Sequence, residues 1–428
     1  MRYIPPMIRN IAFLLLLSFP FTSAGEPSAR AQGERSESRS ESRGGGVPAA
    51  LIEDKKIIAP EGSDVGLPFS PGVLSGDFLY LAGAIGNKPG TLEVPAGIEA
   101  QMRQAMANLE SVLKAAGMDF SRAVSVNVYL SDVRHFAAMN DVYRTYFPKD
   151  PPVRATVEAD IAIPGALVEL SMIAARPGVE RKVITPSGMQ SPQLPYSWGI
   201  QVGSTLFIAG ATARNPKTLE PEGKTVQEQT RNILQNVGLV LEAAGMSYQD
   251  VAHCRVFLDD ARDFAGMNEV YRTFFQTAPP SRATVRADLM NAQFLSEIQC
   301  TAVKDPARRV VAPAGATPAS VPLSPAIEAG GRLFVSGMLG RGPNGYSADA
   351  KEQTRLTLGN LRAALNAAGL DFKDVVETMV YLTDIRYYQA MNEVYREMVG
   401  SPLPARATVG SQLMAPEALV EIVMLAVK

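Results

Sequence analysis

Residues 154–157 read Arg-Ala-Thr-Val, and Glu169 follows the arginine by fifteen residues. The same stretch and the same separation return twice, as Arg282-Ala-Thr-Val with Glu297 and as Arg406-Ala-Thr-Val with Glu421. An arginine and a carboxylate within apolar segments are costly to bury unless they are paired or used. Two interpretations therefore stay open: a buried ion pair across adjacent strands or domains, and a functional pair.

The chain around these pairs repeats as well. Arg282 follows Arg154 by 128 residues and Arg406 follows Arg282 by 124, and each copy begins with a basic residue, a short β-branched run and a proline. A unit of this size is too long for a solenoid repeat and long enough to have its own core. We predict three tandem domains, at residues 51–178, 179–305 and 306–428.

The pattern of apolar residues predicts the same elements in each repeat. In the first repeat a strand ends at Gly83, an amphipathic helix ends at Gly117, and a strand precedes Asp132, which we expect to cap a second helix containing 139–143. The arginine and glutamate segments are both strand-like. The order β-β-α-β-α-β-β predicts an α+β domain, a mixed sheet with two helices on one face.

The N-terminus has the layout of a secretory signal. An apolar run from Ile11 to Phe21 follows two arginines, is too short to span a bilayer, and is followed by small residues. We predict a signal peptide at residues 1–24, with cleavage after Ala31 or an uncleaved membrane anchor as alternatives. Residues 25–50 are rich in Ser, Glu, Arg and Gly, which predicts a disordered linker. The mature protein is then periplasmic or secreted, with no stable membrane span.

Composition limits the classes of function. The 428 residues have a formal net charge of −2 and are 46% hydrophobic, so the chain can bury several cores but has no basic footprint for nucleic acid. Its two histidines, His135 and His253, are not at repeated positions, which argues against a repeated metal site or a Ser-His-Asp triad. For Cys254 and Cys300 we expect two buried thiols, with a disulfide as the alternative in an exported protein.

Each repeat resembles a domain of the Rid family, the YjgF-like reactive intermediate deaminases, also called L-PSP endoribonucleases. The resemblance rests on Pro-Tyr196-Ser197, the strand that ends in glycine, the long helix, Met-Asn-x-x-Tyr, Pro-x-Arg-Ala-Thr and the terminal Val-Glu. The order and spacing of these segments are kept in all three repeats, from about residue 55 to residue 428, although the tyrosine before the serine is present only in the second repeat and Val-Glu only in the first and third.

The resemblance implies a chorismate-mutase-like fold, trimeric, with sites in the clefts between neighbouring subunits. It implies hydrolysis of small enamines and imines such as 2-aminoacrylate to a 2-keto acid and ammonia, without a metal or organic cofactor. It assigns carboxylate binding to the arginines and water activation to the glutamates: Arg154, Glu169, Arg282, Glu297, Arg406 and Glu421. It places further substrate contacts at Gly83, Gly210, Gly337, Asn140, Asn268, Asn392, Tyr196, Thr156, Thr284 and Thr408.

The chemistry of these residue types agrees with those roles. A guanidinium is a planar fork of donors that meets a carboxylate with two hydrogen bonds. An imine carbon is already electrophilic, so one carboxylate beside it can serve as the general base for water. The asparagines could instead bond the backbone, and the glycines could simply end strands.

The chain departs from the family pattern at several positions. The early tyrosine occurs only as Tyr196, with Phe69 and Leu323 at its counterparts, so the second repeat is predicted to carry the most complete site. The usual Gly-Gln-Ile-Pro after the strand is replaced in every repeat, and threonine stands where many Rid proteins have cysteine. These changes, together with export, leave the natural substrate open.

Two other functions remain as alternatives. A non-catalytic module could hold a small carboxylate in the same clefts, and a ribonuclease is a more distant alternative because neither basic nor aromatic surface residues are enriched. For the assembly, three units on one chain supply every position of a trimer, so we predict a monomeric pseudo-trimer with clefts between domains. The alternative is a nine-domain assembly of three chains.

Overall fold

The computed structural model describes residues 55–317 and 319–428. The predicted signal peptide at 1–24 and linker at 25–50 lie outside the described residues. Below, units one, two and three denote residues 55–178, 179–305 and 306–428.

Unit one contains seven strands and two helices among its described residues. The strands are β1 Lys56–Ile58, β2 Gly72–Ser75, β3 Phe78–Ile85, β4 Ala123–Leu130, β5 Val153–Glu158, β6 Asp160–Ile161 and β7 Val168–Ala175. The helices are α1 Ile98–Ala115 and α2 Phe136–Tyr146.

Units two and three repeat this order. Unit two contains β8 Arg181–Ile184, β9 Gly199–Val202, β10 Thr205–Ile208, β11 Ala211–Thr212, α3 Val226–Ala243, β12 Val251–Leu258, α4 Phe264–Phe274, β13 Ser281–Arg286 and β14 Ser296–Val303. Unit three contains β15 Arg309–Val311, β16 Ala326–Ala329, β17 Arg332–Leu339, β18 Arg341–Gly342, β19 Gly345–Tyr346, α5 Ala350–Ala367, β20 Val375–Leu382, α6 Tyr388–Val399, β21 Ala405–Gly410, β22 Gln412–Leu413 and β23 Val420–Val427.

Each unit forms a mixed sheet, and the main strands follow the same order in all three sheets. In unit one the order is β1-β2-β3-β7-β4-β5, in which only β4 and β5 are parallel. The glutamate strand β7 therefore lies in the middle of the sheet, and the arginine strand β5 lies at its edge. The predicted α+β class is confirmed. The unit has two short strands, β1 and β6, beyond the predicted order, and β3 continues past Gly83 to Ile85 instead of ending at the glycine.

Both helices of a unit pack on one face of its sheet. In unit one, Met102 and Met106 of α1 and Tyr143 of α2 are fully buried against strand residues such as Val126 and Leu170. Helix α1 ends before Gly117, which has a φ of 70°, and the N–H of Met118 reaches back to the Leu113 carbonyl at 2.8 Å. A glycine in the left-handed region closes a helix in this way, as the sequence predicted.

The helix-free faces of the three sheets are buried against one another. One apolar cluster contains Tyr129 of unit one, Phe257 of unit two and Tyr381 of unit three, each about 1% exposed. Strand edges are shared too: β22 of unit three pairs with β13 of unit two, and β6 of unit one pairs with β21 of unit three. At the corresponding edge of unit one, Val157 forms a bridge to Leu289 of unit two.

Cys254 and Cys300 form a disulfide, so the expectation of two buried thiols was wrong. The two residues lie directly opposite each other on the antiparallel strands β12 and β14, with their Cα atoms 4.2 Å apart. Their side chains therefore share one face of the sheet and meet.

Among the described residues, no helix combines the length and apolarity needed to cross a membrane.

Candidate active site

The arginine of each unit shares a cleft with the glutamate of a different unit. Thr408 of unit three donates its backbone N–H to Oε1 of Glu169 in unit one, at 3.3 Å. Thr408 and Arg406 are two residues apart on β21 and so point to the same side of the strand. This places Arg406 with Glu169, across the boundary between units three and one.

The other two clefts have the same construction. Glu297 of unit two accepts the backbone N–H of Thr156 in unit one, and Glu421 of unit three accepts that of Thr284 in unit two. Grouping the arginine and glutamate of one repeat into one site was therefore wrong, because the edge strand that carries the arginine lies against the neighbouring sheet. We name the sites the Arg154 cleft, the Arg282 cleft and the Arg406 cleft.

Each arginine is buried against an aromatic ring of its own unit. Arg154, Arg282 and Arg406 are 5%, 1% and 2% exposed. Their guanidinium carbons lie 4.9, 4.8 and 4.7 Å from the ring centroids of Tyr143, Tyr271 and Tyr395. The ring supports the cation through its π face and leaves the hydrogen-bonding edge of the guanidinium free to point elsewhere.

The repeated asparagine orients the arginine in two of the clefts. Asn268 Oδ1 accepts from Arg282 Nη2 at 2.7 Å, and Asn392 Oδ1 accepts from Arg406 Nη2 at 2.6 Å. The amide of Asn268 also donates to the carbonyl of Phe264 one turn earlier, at 2.8 Å, and Asn140 makes the same backbone bond to Phe136. The backbone role considered for these residues is thus present, together with a positioning role for the arginine.

The repeated glycine makes room for the glutamate. A Cβ atom on Gly83, Gly210 or Gly337 would lie 1.9, 2.0 or 1.9 Å from the Oε1 atom of the glutamate in the same unit. The carboxylate therefore lies across the strand at the one residue type that allows so close an approach. Neither a strand end nor substrate contact is needed to explain this glycine.

Burial raises the pKa of all three glutamates. The pKa rises to about 7 for Glu169 and Glu297 and to about 8 for Glu421, opposed by the threonine N–H and by the arginine of the cleft. Desolvation dominates because each carboxyl is buried in a largely apolar surrounding. Burial also lowers the pKa of Arg282 to about 10. The carboxyls can take up and release a proton near neutral pH.

The arginine and glutamate of a cleft do not neutralise each other by direct contact. Among residues 55–317 and 319–428 no ion pair joins Arg154, Arg282 or Arg406 to a glutamate. Arg154 Nη1, Arg282 Nη1 and Arg406 Nε are buried without a hydrogen-bond partner. The buried ion pair considered from the sequence is therefore absent, and each cleft presents unused cationic donors beside a carboxyl group.

Tyr196 lies in the Arg154 cleft rather than with Arg282. Arg154 and Glu297 both act on the electrostatics of its hydroxyl, and burial raises the pKa of Tyr196 to about 12. The counterparts of Tyr196 also lie beside the arginine of a different unit. The ring of Phe69 lies 5.8 Å from the Arg406 guanidinium, and Leu323 lines the Arg282 cleft. The prediction that the second repeat has the most complete site was wrong, since no site is built from one repeat.

The hydroxyls of Thr156, Thr284 and Thr408 are buried in the clefts without a partner. Sequence reasoning missed the supporting tyrosines as part of the site, although Met-Asn-x-x-Tyr is present in every repeat. It also missed the residues that set the width of each cleft. Within the described residues, no cluster of three or more His, Cys, Asp or Glu side chains could hold a metal ion.

A family model described as Endoribonuclease L-PSP matches the chain three times, at residues 63–176, 189–304 and 314–428. The chain belongs to this family, the Rid/YjgF proteins, in three tandem copies. A RutC family protein of Pyrococcus horikoshii is 40% identical over 125 residues, 29% of this chain and 99% of that protein. The 2-iminobutanoate/2-iminopropanoate deaminase of Mus musculus is 35% identical over 128 residues, 29% of this chain and 93% of that protein.

One solved structure aligns with more than one unit of this Rid protein. A chorismatase matches 71% of this chain and 93% of its own, with a TM-score of 0.50 and 15% identity. At that identity the likeness shows a shared fold and nothing about activity.

Proposed function

We propose that this protein hydrolyses small reactive enamine or imine acids to 2-keto acids and ammonia. The observation that carries the proposal is the unpaired, buried guanidinium across each cleft from a carboxyl group with a pKa near neutral. Relatives named 2-iminobutanoate/2-iminopropanoate deaminase, 35% to 37% identical over one unit, support it.

The arginine binds the substrate carboxylate. Its free donors would meet the two carboxylate oxygens, and the tyrosine ring and the asparagine hold the guanidinium in place. Burial of this cation without an anion is unfavourable, so an anionic substrate restores its electrostatic balance. Lysine would not present the same planar fork.

The glutamate moves the proton. In its ionised form it accepts a proton from water, whose oxygen adds to the imine carbon. The protonated carboxyl then returns the proton to the nitrogen, which gives a carbinolamine. The carboxylate next takes the hydroxyl proton and passes it to the nitrogen while the carbon–oxygen double bond forms and the carbon–nitrogen bond breaks, so that ammonia and the 2-keto acid leave. The threonine N–H keeps the carboxylate aligned during both transfers.

The test is direct. An amino acid oxidase generates an imino acid in the presence of the purified protein, and the imine is trapped competitively with semicarbazide. We expect the protein to reduce semicarbazone formation and to accelerate release of keto acid and ammonia. Saturable thermal stabilisation by keto acids without any acceleration would favour the non-catalytic carboxylate-binding module instead.

We also propose that the chain acts as an intramolecular pseudo-trimer. The strand pairs between units and the construction of each cleft from two units support this arrangement. Export to the periplasm or medium stays a prediction from residues 1–24. The mass of the N-terminal peptide of the mature protein would test it.

A further inference from the structure

The Arg406 cleft and the Arg282 cleft differ in the space they enclose. The cavity of the Arg406 cleft has a volume of about 240 Å³ and includes Arg406, Glu169 and Thr408 in its wall. The Arg282 cleft encloses about 30 Å³ beside Arg282 and Glu421. A cavity of roughly 150 Å³ accommodates benzene, whereas one water needs roughly 10–15 Å³. The first cleft can therefore take an organic molecule, and the second has room for one or two waters.

One cause of the difference is a residue eight positions after each arginine. Ala162, Met290 and Met414 are equivalent by that count. Ala162 lines the 240 Å³ cavity, whereas the longer side chain of Met414 lines the 30 Å³ cavity. A methionine fills irregular space well, so this exchange of side chains alters the width of the cleft directly.

A second cause of the difference in width is the residue two positions after Phe69, Tyr196 and Leu323. It is Pro71 in unit one, Trp198 in unit two and Pro325 in unit three. Trp198 is 8% exposed, stacks edge-on to Tyr196 at 5.4 Å and donates from Nε1 to the Gln190 carbonyl at 2.9 Å.

The indole occupies the region that is open in unit one. A cavity of about 10 Å³ remains at the equivalent place, bordered by Trp198 but by neither Arg154 nor Glu297. Trp198 and Tyr196 also border a separate pocket of about 410 Å³, which Arg154 and Glu297 do not line either. Pro71, at the equivalent position, lines the large cavity of the Arg406 cleft. Trp198 therefore narrows the approach to the Arg154 cleft.

The wall of the large cavity contains Arg406 and Glu169 and is mainly apolar elsewhere, although Glu61, Ser63 and Ser111 also line it. From Arg406 and Glu169 the wall continues through Phe69, Leu67, Ile163 and Val112 and reaches Leu92, an exposed apolar residue. Polar amides are present, but they bond mostly to one another and to the backbone. Asn108, for example, donates to the carbonyls of Ile85 and Asn87 at 3.0 and 2.9 Å.

We propose that the Arg406 cleft is the one site of this chain that takes substrate, and that its substrates are imino acids with a branched or aromatic apolar side chain. The inference rests on the proposed hydrolysis and extends it to a substrate class. The carboxylate lies on Arg406, and the side chain extends toward Leu92. Water adds to the imine carbon and the carbon–nitrogen bond breaks, giving ammonia and the keto acid without oxidation or reduction. Each buried methylene improves binding roughly fourfold.

Two substitutions introduce into the Arg406 cleft the residues found at the equivalent positions of the narrower clefts. Ala162→Met introduces the residue of units two and three, and Pro71→Trp introduces the residue of unit two. Ala115→Met, at an exposed position at the end of α1, is the control because it makes the same chemical change away from the cavity. Circular dichroism and the melting temperature establish that each variant is folded.

The substrates are the imino acids that an oxidase forms from leucine and from alanine. For the unaltered protein we expect a higher kcat/KM with the leucine-derived imine. Ala162→Met and Pro71→Trp should each lower that value at least tenfold and lower the value for the smaller alanine-derived imine by a smaller factor, and Ala115→Met should change neither. If both folded cavity variants retain full activity on the leucine-derived imine, the proposal is overturned.

The number of binding sites per chain tests the proposal independently. Calorimetric titration with 4-methyl-2-oxopentanoate, the keto acid related to leucine, should show one site per chain, lost in Ala162→Met. Two or three equivalent sites would contradict the proposal. Hydrolysis of the alanine-derived imine alone would overturn only the substrate class, whereas a protein that hydrolyses neither imine would overturn the proposed function itself.

Discussion

Gly83 and Glu169 occupy adjacent strands so closely that a Cβ on the glycine would lie 1.9 Å from the carboxylate oxygen. That oxygen belongs to the candidate catalytic carboxylate, and Thr408 of another unit donates its backbone N–H to the same atom at 3.3 Å. The glycine, the glutamate and the threonine therefore determine together where a proton can be accepted.

Gly83→Ala should displace the Glu169 carboxylate and lower kcat/KM at least tenfold, because proton transfer depends on alignment within hydrogen-bonding distance. The matched control is Gly359→Ala in α5, where an added Cβ meets nothing within 4 Å. That variant should keep full activity and gain roughly 0.5–1 kcal/mol of stability from the better helix former. Full activity in Gly83→Ala would show that the position of Glu169 is unimportant.

Replacing Arg406 separates binding from turnover. Arg406→Lys keeps the charge but loses the planar fork, so we expect KM to rise roughly 10- to 100-fold with a smaller change in kcat. Steady-state kinetics on the leucine-derived imine measures both constants. An unchanged KM would remove Arg406 from carboxylate binding.

The activity should rise with pH through neutrality. A general base must be ionised, and burial raises the pKa of Glu169 to about 7. The profile of kcat/KM should therefore increase on one limb with a midpoint near pH 7, and Glu169→Gln should remove most of the activity at every pH. A profile that is flat between pH 5.5 and pH 8.5, a window bracketing that value by roughly 1.5 units, would argue against Glu169 as the base.

Because the carboxyl groups are buried, their ionisation at alkaline pH destabilises the folded state. The pKa of Glu421 is raised from 4.5 to about 8 on folding, so the folded state binds the proton more tightly than the unfolded state. Its contribution is thus fully present below pH 4.5 and is lost as the pH rises to about 8. Glu421→Gln, which stays neutral, should raise the free energy of unfolding by roughly 1–3 kcal/mol at pH 9 and by little at pH 4.

The control for that measurement is Glu269→Gln, at an exposed position of α4. It should leave stability nearly unchanged at both pH values. Equal effects of the two substitutions in urea melts at pH 9 would contradict the account of the buried carboxyl.

The sequence was sufficient for the elements and for the residue types of the site, and insufficient for their partners. Arg154, Glu169 and their repeats were identifiable because costly residues recur in apolar strands. Which glutamate each arginine meets could not be predicted. The repeated sequence is the same whether Arg154 faces Glu169, Glu297 or Glu421. Only the contact between helix-free sheet faces decides which glutamate each arginine meets.

For a related reason the widths of the clefts were not predicted, and the disulfide was given only as the alternative to two buried thiols. Ala162 and Trp198 are unremarkable apolar residues in the sequence, and their effect depends on where a neighbouring unit places its arginine. Cys254 and Cys300 bond because the register of β12 and β14 sets them opposite each other. A shift of one residue would turn the two side chains to different faces.

The mass of the protein in solution tests the pseudo-trimer. Three equivalent contacts hold the units together: Ser70, Ser197 and Ser324 each donate their N–H to a proline carbonyl of another unit, at 3.0, 3.2 and 3.2 Å. The hydroxyl of each serine donates to the carbonyl of the residue before that proline, at 2.6 Å in every case. One chain thus satisfies all three interfaces, and linkage raises the effective concentration of each partner. Light scattering on the mature protein should therefore give the mass of one chain, below 45.9 kDa after signal cleavage. A mass of three chains that persists on dilution would instead establish the nine-domain assembly.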